Sequence, residues 1–531
     1  MNTGLWVSIA MLVALGCGDD SGSDDGGGNR APDLRPDAAI RDAGPDQPAG
    51  TEGGRCYGNG TCNSGVSCVR NLCRVDDDGG ALRMDGGDDS GAARMDGGGD
   101  SGLDGGPDTD NACQSGVDGV IEASYTIESS DDVAAIVGCT AITGVLTVAP
   151  GVTSVTLPAL TSVGGITVDA NVILTSLSMP ALESIALGGL KLTGDTALTS
   201  LNLSALNTVG GDIDIKTTAL ISLDLSALNT VGGYLQVWLH AALTTIDVTA
   251  LTSVGSTMFF SDNAALTGLD LHALTSVGGS IAIQTSASLT SVDLSALSTV
   301  SVQLAVVINA ALTSLDLSAL NTADDIQING GMVTSLALPA LTTVSTSIGI
   351  GGGDTLTSLS LPMLATVGGG GKDSGVFVFG AVLTSLSVPL LTSVGGSFSV
   401  SGALLTSVSV PLLTTVGNGF SVSGAALTSL SVPVLTSVAA ESSGYVNNFS
   451  VSGTALTSLS FPVLASVGND FELQNNTALT SLSFPLLGSV DGNFNVSGNT
   501  ALPTCQAKTV LDQLTVSPAM TTITGNLGTC P

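Results

Sequence analysis

An all-β chain built mainly as a single-stranded parallel β-helix is the fold class that the sequence predicts, on three observations. Residues 152–501 repeat one unit about fifteen times, with starts 21 to 29 residues apart. In the clearest copy, residues 479–499, Leu479, Leu482, Phe484, Leu487, Val490, Phe494 and Val496 are apolar at offsets 0, 3, 5, 8, 11, 15 and 17, with Gly, Ser, Asn or Asp among the residues between. The pairs at offsets 3 and 5, and at 15 and 17, alternate as a half-buried strand does. A Gly-Gly or Gly-Asn step follows the Val at offset 11, as in Val277-Gly278-Gly279 and Val416-Gly417-Asn418, and tolerates positive φ where the chain turns. Each unit therefore closes one turn of a coil. One turn cannot bury its own apolar face, but turns stacked about 4.8 Å apart form parallel sheets round a continuous core, a rod of roughly 70 Å. Helical repeats are disfavoured, because units this short have little room for two helices and are rich in Gly, Thr, Ser and Val.

Within the repeat, nine units carry Pro at offset 6, from Pro158 to Pro485, whereas the units from Leu198 to Leu312 carry Ser, Thr or His there. Pro donates no ladder hydrogen bond, so it marks where the first strand stops. Phe398, Phe420, Phe449, Phe471 and Phe494 share one inward offset of consecutive units, which predicts a stacked spine. Two units are longer, with insertions at 368–376 and 439–448 that leave the same edge of the coil.

Upstream of the repeat, residues 1–16 hold an apolar run from Leu5 to Leu15 that is too short to span a bilayer as a mature helix and reads as a secretion signal. The following Ala14-Leu15-Gly16-Cys17 resembles the bacterial lipobox, which implies cleavage before Cys17 and a lipid on that residue. Residues 17–54 are mostly Asp, Gly, Pro and Ala, and residues 75–111 repeat an acidic eleven-mer, ALRMDGGDDSG then AARMDGGGDSG. Neither composition builds a core, so both read as disordered acidic tethers, each spanning about 35 Å on average. Between them, residues 55–74 carry Cys56, Cys62, Cys68 and Cys73, a small disulfide knot whose pairing stays open. Zinc is the competing reading, disfavoured because the stretch has no CxxC pair and no nearby His.

The nine cysteines then divide into one lipid site, four in the knot, and two pairs that flank the repeat, Cys113 with Cys139 and Cys505 with Cys530. They mark an N-terminal cap at 112–151 and a C-terminal cap at 502–531. The ends of a solenoid expose core and strand edges, and each end here has a short helical pattern, 130–138 and 503–514, to cover them beside a disulfide. Ser130 is placed to cap the first helix, Asp131 and Asp132 suit its opening turn, and Val133, Ile136 and Val137 face the core.

Cys113, Tyr125-Thr126-Ile127, Asp131-Asp132-Val133, Gly138-Cys139-Thr140, Ile142-Thr143-Gly144 and Leu146-Thr147-Val148 resemble the opening segment of receptor L domains, the ligand-binding β-helices of insulin-type and epidermal-growth-factor-type receptors. The stretches LTSLSFPLL and LTSVGGSFSV resemble repeats of fungal cell-wall proteins with that fold, and approach the bacterial leucine-rich adhesin type. The resemblance covers about residues 113–531. It implies a leucine-rich-repeat-like solenoid with a binding role, carried on a bacterial lipoprotein, and the repeat period agrees. Receptor signalling is not implied, since no transmembrane or kinase segment follows, and the family's ligand contacts find no matching motif.

Composition excludes further classes. Net charge is −33, and eight of the twelve basic residues are Arg upstream of residue 95. From residue 112 on, the basic residues are Lys191, Lys216, Lys372 and Lys508, so no cationic groove neutralises phosphates and nucleic acid is not a partner. His240 and His272 stand at different offsets of different units, neither placed to activate a Ser, and both read as solvated turn residues. The chain is read as no enzyme, a polysaccharide-cleaving β-helix being the remote alternative.

The function expected is an exported binding or adhesion protein, lipid-anchored in an outer membrane, surface-exposed, with a glycan or a secreted or cell-surface protein as partner. A structural envelope component without a discrete ligand is the rival reading. Tyr234, Gln236 and Trp238 should point outward on one turn, beside Thr257, Phe259 and Ser261 on the next and Asp212, Asp214 and Lys216 on the previous. Tyr234, Trp238 and Phe259 are the candidate ligand contacts, since rings flanked by carboxylates suit stacking and hydrogen bonding to sugar or protein. Asp224, Asp247, Asp270, Asp293 and Asp316 occupy offset 4 of five consecutive units and form one acidic ladder. Carboxylates about 4.8 Å apart repel by roughly 0.9 kcal/mol in water-like dielectric, so weak Ca²⁺ binding there competes with a plain solvated stripe. No other cofactor is expected.

Overall fold

The computed structural model describes residues 119–351, 354–368, 374–439 and 448–528, together with the backbone of two strands upstream. Two compact units divide the chain, residues 1–103 and 104–531. In the first, Val66–Val69 pairs antiparallel with Leu72–Val75, a register that sets Cys68 opposite Cys73. The signal segment, Cys17, most of both tethers, Cys56, Cys62, Cys113 and Cys530 lie outside the described residues, as do residues 369–373 and 440–447 of the two insertions.

The second unit is a parallel β-solenoid of about 17 turns. Most repeat turns run through three short strands, for example Ser222–Asp224, Thr230–Val231 and Leu235–Trp238, while in others, such as the one with Thr299–Val307, the second and third strands are continuous. The second and third strands pair with their counterparts one turn on almost without interruption, whereas the first strands pair in five shorter runs; Leu223 thus lies beside Ile246, Val231 beside Val254 and Leu235 beside Met258. The seven apolar offsets all point inward: Leu220, Leu223, Leu225, Leu228, Val231, Leu235 and Val237 are buried in this turn, and the same positions fuse into one continuous core along the stack. The expected phenylalanine spine is present, with Phe398, Phe420, Phe449, Phe471 and Phe494 fully buried and successive rings stacked at 5.1 to 5.5 Å.

The corner after the first strand is a β-turn in both kinds of unit. The N–H at offset 8 donates to the carbonyl at offset 5, from Leu228 to Leu225 at 2.9 Å and from Leu487 to Phe484 at 3.3 Å. The first strand ends at offset 4 whether or not Pro follows, as Ser222–Asp224 and Ser481–Ser483 show. Pro therefore does not stop the strand; it presets φ at the first central position of the turn. In the units that lack it, an Asn or Asp at offset 4 accepts the N–H of offset 6 at 2.9 to 3.3 Å, from Asn202 through Asp224, Asp247, Asp270 and Asp293 to Asp316. Every Pro unit instead has Ser, Thr or Ala at offset 4, because Pro offers no N–H to accept.

A second polar column lies inside. Three residues past the last inward apolar side chain, Asn171, Asp195, Thr218, His240, Asn263, Ser286 and Asn309 are buried on consecutive turns, and Thr454, Asn476 and Asn499 continue the pattern near the C-terminal end. Asn263 shows the pattern: its Oδ1 accepts the His240 N–H at 3.3 Å on one neighbouring turn, and its Nδ2 donates to the Val237 carbonyl at 2.8 Å. The residue before each ladder position has positive φ, even at Thr217, Thr285 and Ile308, where a β-branched side chain resists it. The ladder bonds hold this corner in place.

His240 thus corrects the expectation of a solvated turn residue. It is fully buried, its Nδ1 accepting the Thr218 N–H at 3.3 Å and its Nε2 donating to the Ile215 carbonyl at 3.0 Å, so the neutral ring supplies the acceptor and donor that Asn supplies elsewhere. Burial holds its pKa below the usual value against those two bonds. His272 does stand exposed in its turn, 2.7 Å from Asp270.

Asp195 is the ladder's defective member. One carboxylate oxygen accepts the Asn171 N–H at 2.8 Å, while Oδ2 is buried without a partner where an Asn would place its donor. Burial pushes its pKa up to about 6, the Asn171 N–H opposing and Asp169 adding. With the folded value above the unfolded one, the residue favours folding most below about pH 4, and that contribution is lost as pH rises through about 6. Asp195→Asn should therefore stabilise the solenoid by about 1 to 2 kcal/mol at neutral pH and lose its advantage towards pH 4. Urea unfolding of both proteins across that range checks it.

Both ends carry the expected helices. Ser130–Ile136 covers the first turns, but its cap is Ser129, in a capping box with Asp132, and not Ser130; Ile136 is buried, Val133 partly buried, and Val137 faces solvent. Thr504–Asp512 covers the last turns with Ala507 and Val510 buried. Cys139 and Cys505 are each disulfide-bonded.

Candidate binding surface

Four outward faces follow from the stacking, and three are nearly uniform. The first strands present Ser, Thr or Asx; the β-turns present Pro or Ser followed by a small or aliphatic residue; the second strands present Ser or Thr. The third strands differ. Their outward positions run Lys191 and Thr193, Asp214 and Lys216, Gln236 and Trp238, Phe259 and Ser261, Ala282 and Gln284 on five consecutive turns. Inward positions there are held to Leu, Ile, Val, Met or Phe by packing, so outward variation is free of that constraint.

Trp238 is fixed from three sides. Its indole Nε1 donates to Asp214 Oδ1 at 3.1 Å, the Lys216 ammonium lies 3.8 Å from the ring centroid, and Phe259 meets it edge-on at 6.1 Å. The register explains the cluster, since Lys216, Trp238 and Ser261 are direct neighbours along the sheet. Trp238 and Phe259 remain half-exposed, and Tyr234 stands half-buried just before the strand, its backbone N–H donating to Asp212 Oδ1 at 2.9 Å. Ser261, expected to be open, is instead buried, donating to Asp262 and accepting from Gln284 Nε2.

A second aromatic pair on this face was not anticipated. Phe377 and Phe379 on Gly375–Phe379 point outward, half-buried and stacked at 6.4 Å, beside the bare backbone of Gly349 and Gly351. The alternation with inward Val376 and Val378 is the signal that locates them.

The acidic ladder is present as read: Asp224, Asp247, Asp270, Asp293 and Asp316 pair in register. Each carboxylate already holds a turn N–H, and among the described residues no three His, Cys, Asp or Glu side chains gather to hold a metal ion. The ladder's place in the structure is to shape the turns. A shallow groove of about 490 Å³ runs along the corner after the second strands, lined by Thr208, Thr230, Ser253, Ser276 and the glycines that follow. Three of those glycines, Gly232, Gly255 and Gly278, lie so close to the preceding turn that a Cβ on any of them would stand 2.1 to 2.3 Å from a carbonyl oxygen.

No protein-family model matches this sequence, and no curated protein matches it. Among solved structures the chain is similar to a leucine-rich repeat protein from Bacteroides ovatus ATCC 8483, at 12% identity and a TM-score of 0.29, over 70% of this chain and 86% of that one. It is also similar to a leucine rich cell surface protein from Faecalibacterium prausnitzii A2-165, at 11% identity and a TM-score of 0.21, over 71% and 88%. A third likeness is to the TLR13–ssRNA13 complex, at 12% identity and a TM-score of 0.14, over 75% and 83%. Scores this low carry no argument, and the solenoid is established by the chain's own strand ladder.

Proposed function

We propose that the chain is an exported binding solenoid, held to an outer membrane by a lipid on Cys17 and contacting a glycan or a secreted or cell-surface protein through the outer face of its third strands. The observation that carries this reading is the concentration of aromatic and charged side chains on that face, with Trp238 held rigid by Asp214, Lys216 and Phe259. A ring already fixed loses little freedom on binding, which is what a contact residue requires. The likeness of residues 113–148 to receptor L domains supports the same reading. Both nitrogens of His240 are engaged in the ladder, which leaves that ring no free nitrogen for acid–base work.

The test is to screen the purified protein against glycans, envelope fragments and whole cells, then to repeat any binding with Trp238→Ala. A loss of roughly tenfold or more is expected. Unchanged binding would remove the platform, and no binding at all would favour a structural envelope component. Cys17→Ala protein recovered wholly in a detergent phase would contradict the anchor.

A further inference from the structure

The β-turns of the last six repeat units carry an apolar strip that the fold does not require. At offset 7 the first nine units have Ala, from Ala159 to Ala340, whereas the last six have Met363, Leu390, Leu412, Val434, Val463 and Leu486. Five of these are exposed, by 36 to 58%, and Val463 is half-buried. Each follows a partly or largely exposed Pro, so the strip is two residues wide. The six turns are consecutive, their second strands pairing in series from Thr366–Val367 to Ser489–Val490, which makes the strip about 24 Å long. Ala completes the same turn elsewhere, so nothing in the turn calls for a large side chain. Exposed apolar strips of this kind mark contact surfaces.

Charge identifies the occupant. Across offsets 0 to 10 of these six units there is no Asp, Glu, Lys or Arg, although the chain carries a net −33 and the units from Leu220 to Leu312 each place an Asp on the neighbouring column. Two copies of so acidic a chain repel each other on any face that carries its share of carboxylates. Here the carboxylates are absent from the one side that carries the aliphatic strip. A second copy also has the same rise per turn, so side chains meet at matching intervals along the whole strip. We propose that this strip is a self-association surface on which two solenoids pair side by side along their last six units. A stable pair needs about 800 Å² per partner, more than the two-residue strip alone offers, so the pairing has to cover the Ser and Thr columns on either side as well.

Sedimentation velocity on the full chain carrying Cys17→Ala, so that no lipid drives association, tests the proposal. A dimer is expected at concentrations up to about 100 µM, strengthened when about 0.5 M salt screens the remaining charge. Replacing Leu390, Leu412 and Leu486 together by Ala, the residue of the first nine units, should weaken pairing by roughly tenfold or more with the melting temperature unchanged. Leu412→Asp alone, one charge in the middle of the strip, should abolish pairing and covers the case in which the triple variant misfolds. A monomer at every concentration and salt would overturn the proposal, as would a dimer indifferent to both variants. A monomer that binds neutral phosphatidylcholine vesicles through these leucines would also overturn it and assign the strip to lipid.

Discussion

Phe449→Ala is expected to lower the stability of the C-terminal turns by about 3 to 5 kcal/mol, the largest effect of any single substitution considered. Phe449 has no exposed surface, stacks on Phe420 at 5.5 Å and Phe471 at 5.1 Å, and meets Phe461 and Phe484 edge-on at 4.9 and 5.9 Å. The cavity left by Ala is walled by rings pinned from two directions, so it cannot collapse cheaply. Because each turn contacts mainly its neighbours, the loss should be local: hydrogen exchange should accelerate across the turns around residues 420–494 and leave the turns before residue 350 unchanged. Phe377→Ala, which removes an outward ring of the same size, should cost less, since that ring keeps part of its surface in water.

Gly255→Ala should be the second most damaging. A Cβ there would stand 2.1 Å from the Gly232 carbonyl oxygen, and that oxygen belongs to backbone held in the ladder, where the Gly255 N–H itself donates to Val231 at 2.8 Å. The clash is relieved only by spreading the stack, at about 1 to 3 kcal/mol or more. Gly210→Ala is the matched control: at the same corner two turns earlier, its Cβ would come no nearer than 3.4 Å to any atom, and the expected change is small. Urea unfolding of the two variants side by side measures the difference.

These contrasts show where the fold was legible and where it was not. The inward residues could be read from offsets alone, because burial is a property of one turn and recurs with the repeat, and Phe398 to Phe494 fell into place for that reason. What escaped were features that exist only when turns are stacked. His240 shares no residue type with Asn263 or Thr218, and its role as a ladder member follows from its place three residues past Val237, where the neighbouring turns' backbone needs one donor and one acceptor. The Asp ladder was seen as five like charges in a row, yet its logic lies along the chain, in the N–H that Pro units lack and the others must satisfy. Trp238 and Phe259 were placed correctly by alternation, but the tie from Trp238 to Asp214 spans 24 residues of sequence and depended on the register.

The central claim is that binding belongs to the outer face of the third strands, and the chain supplies its own neutral replacement for that face. Turns 397–401, 420–423 and 449–452 present only Ser at the outward positions, on strands with the same inward Phe and Val spacing. Gln236, Trp238 and Phe259 can therefore all be changed to Ser without altering the core, as judged by an unchanged melting temperature. Surface-plasmon measurement of this triple variant against whatever glycan, envelope fragment or cell-surface protein the native chain captures should show affinity reduced by roughly a hundredfold. Full affinity retained by a folded triple variant would contradict the claim and move the binding site off the third-strand face.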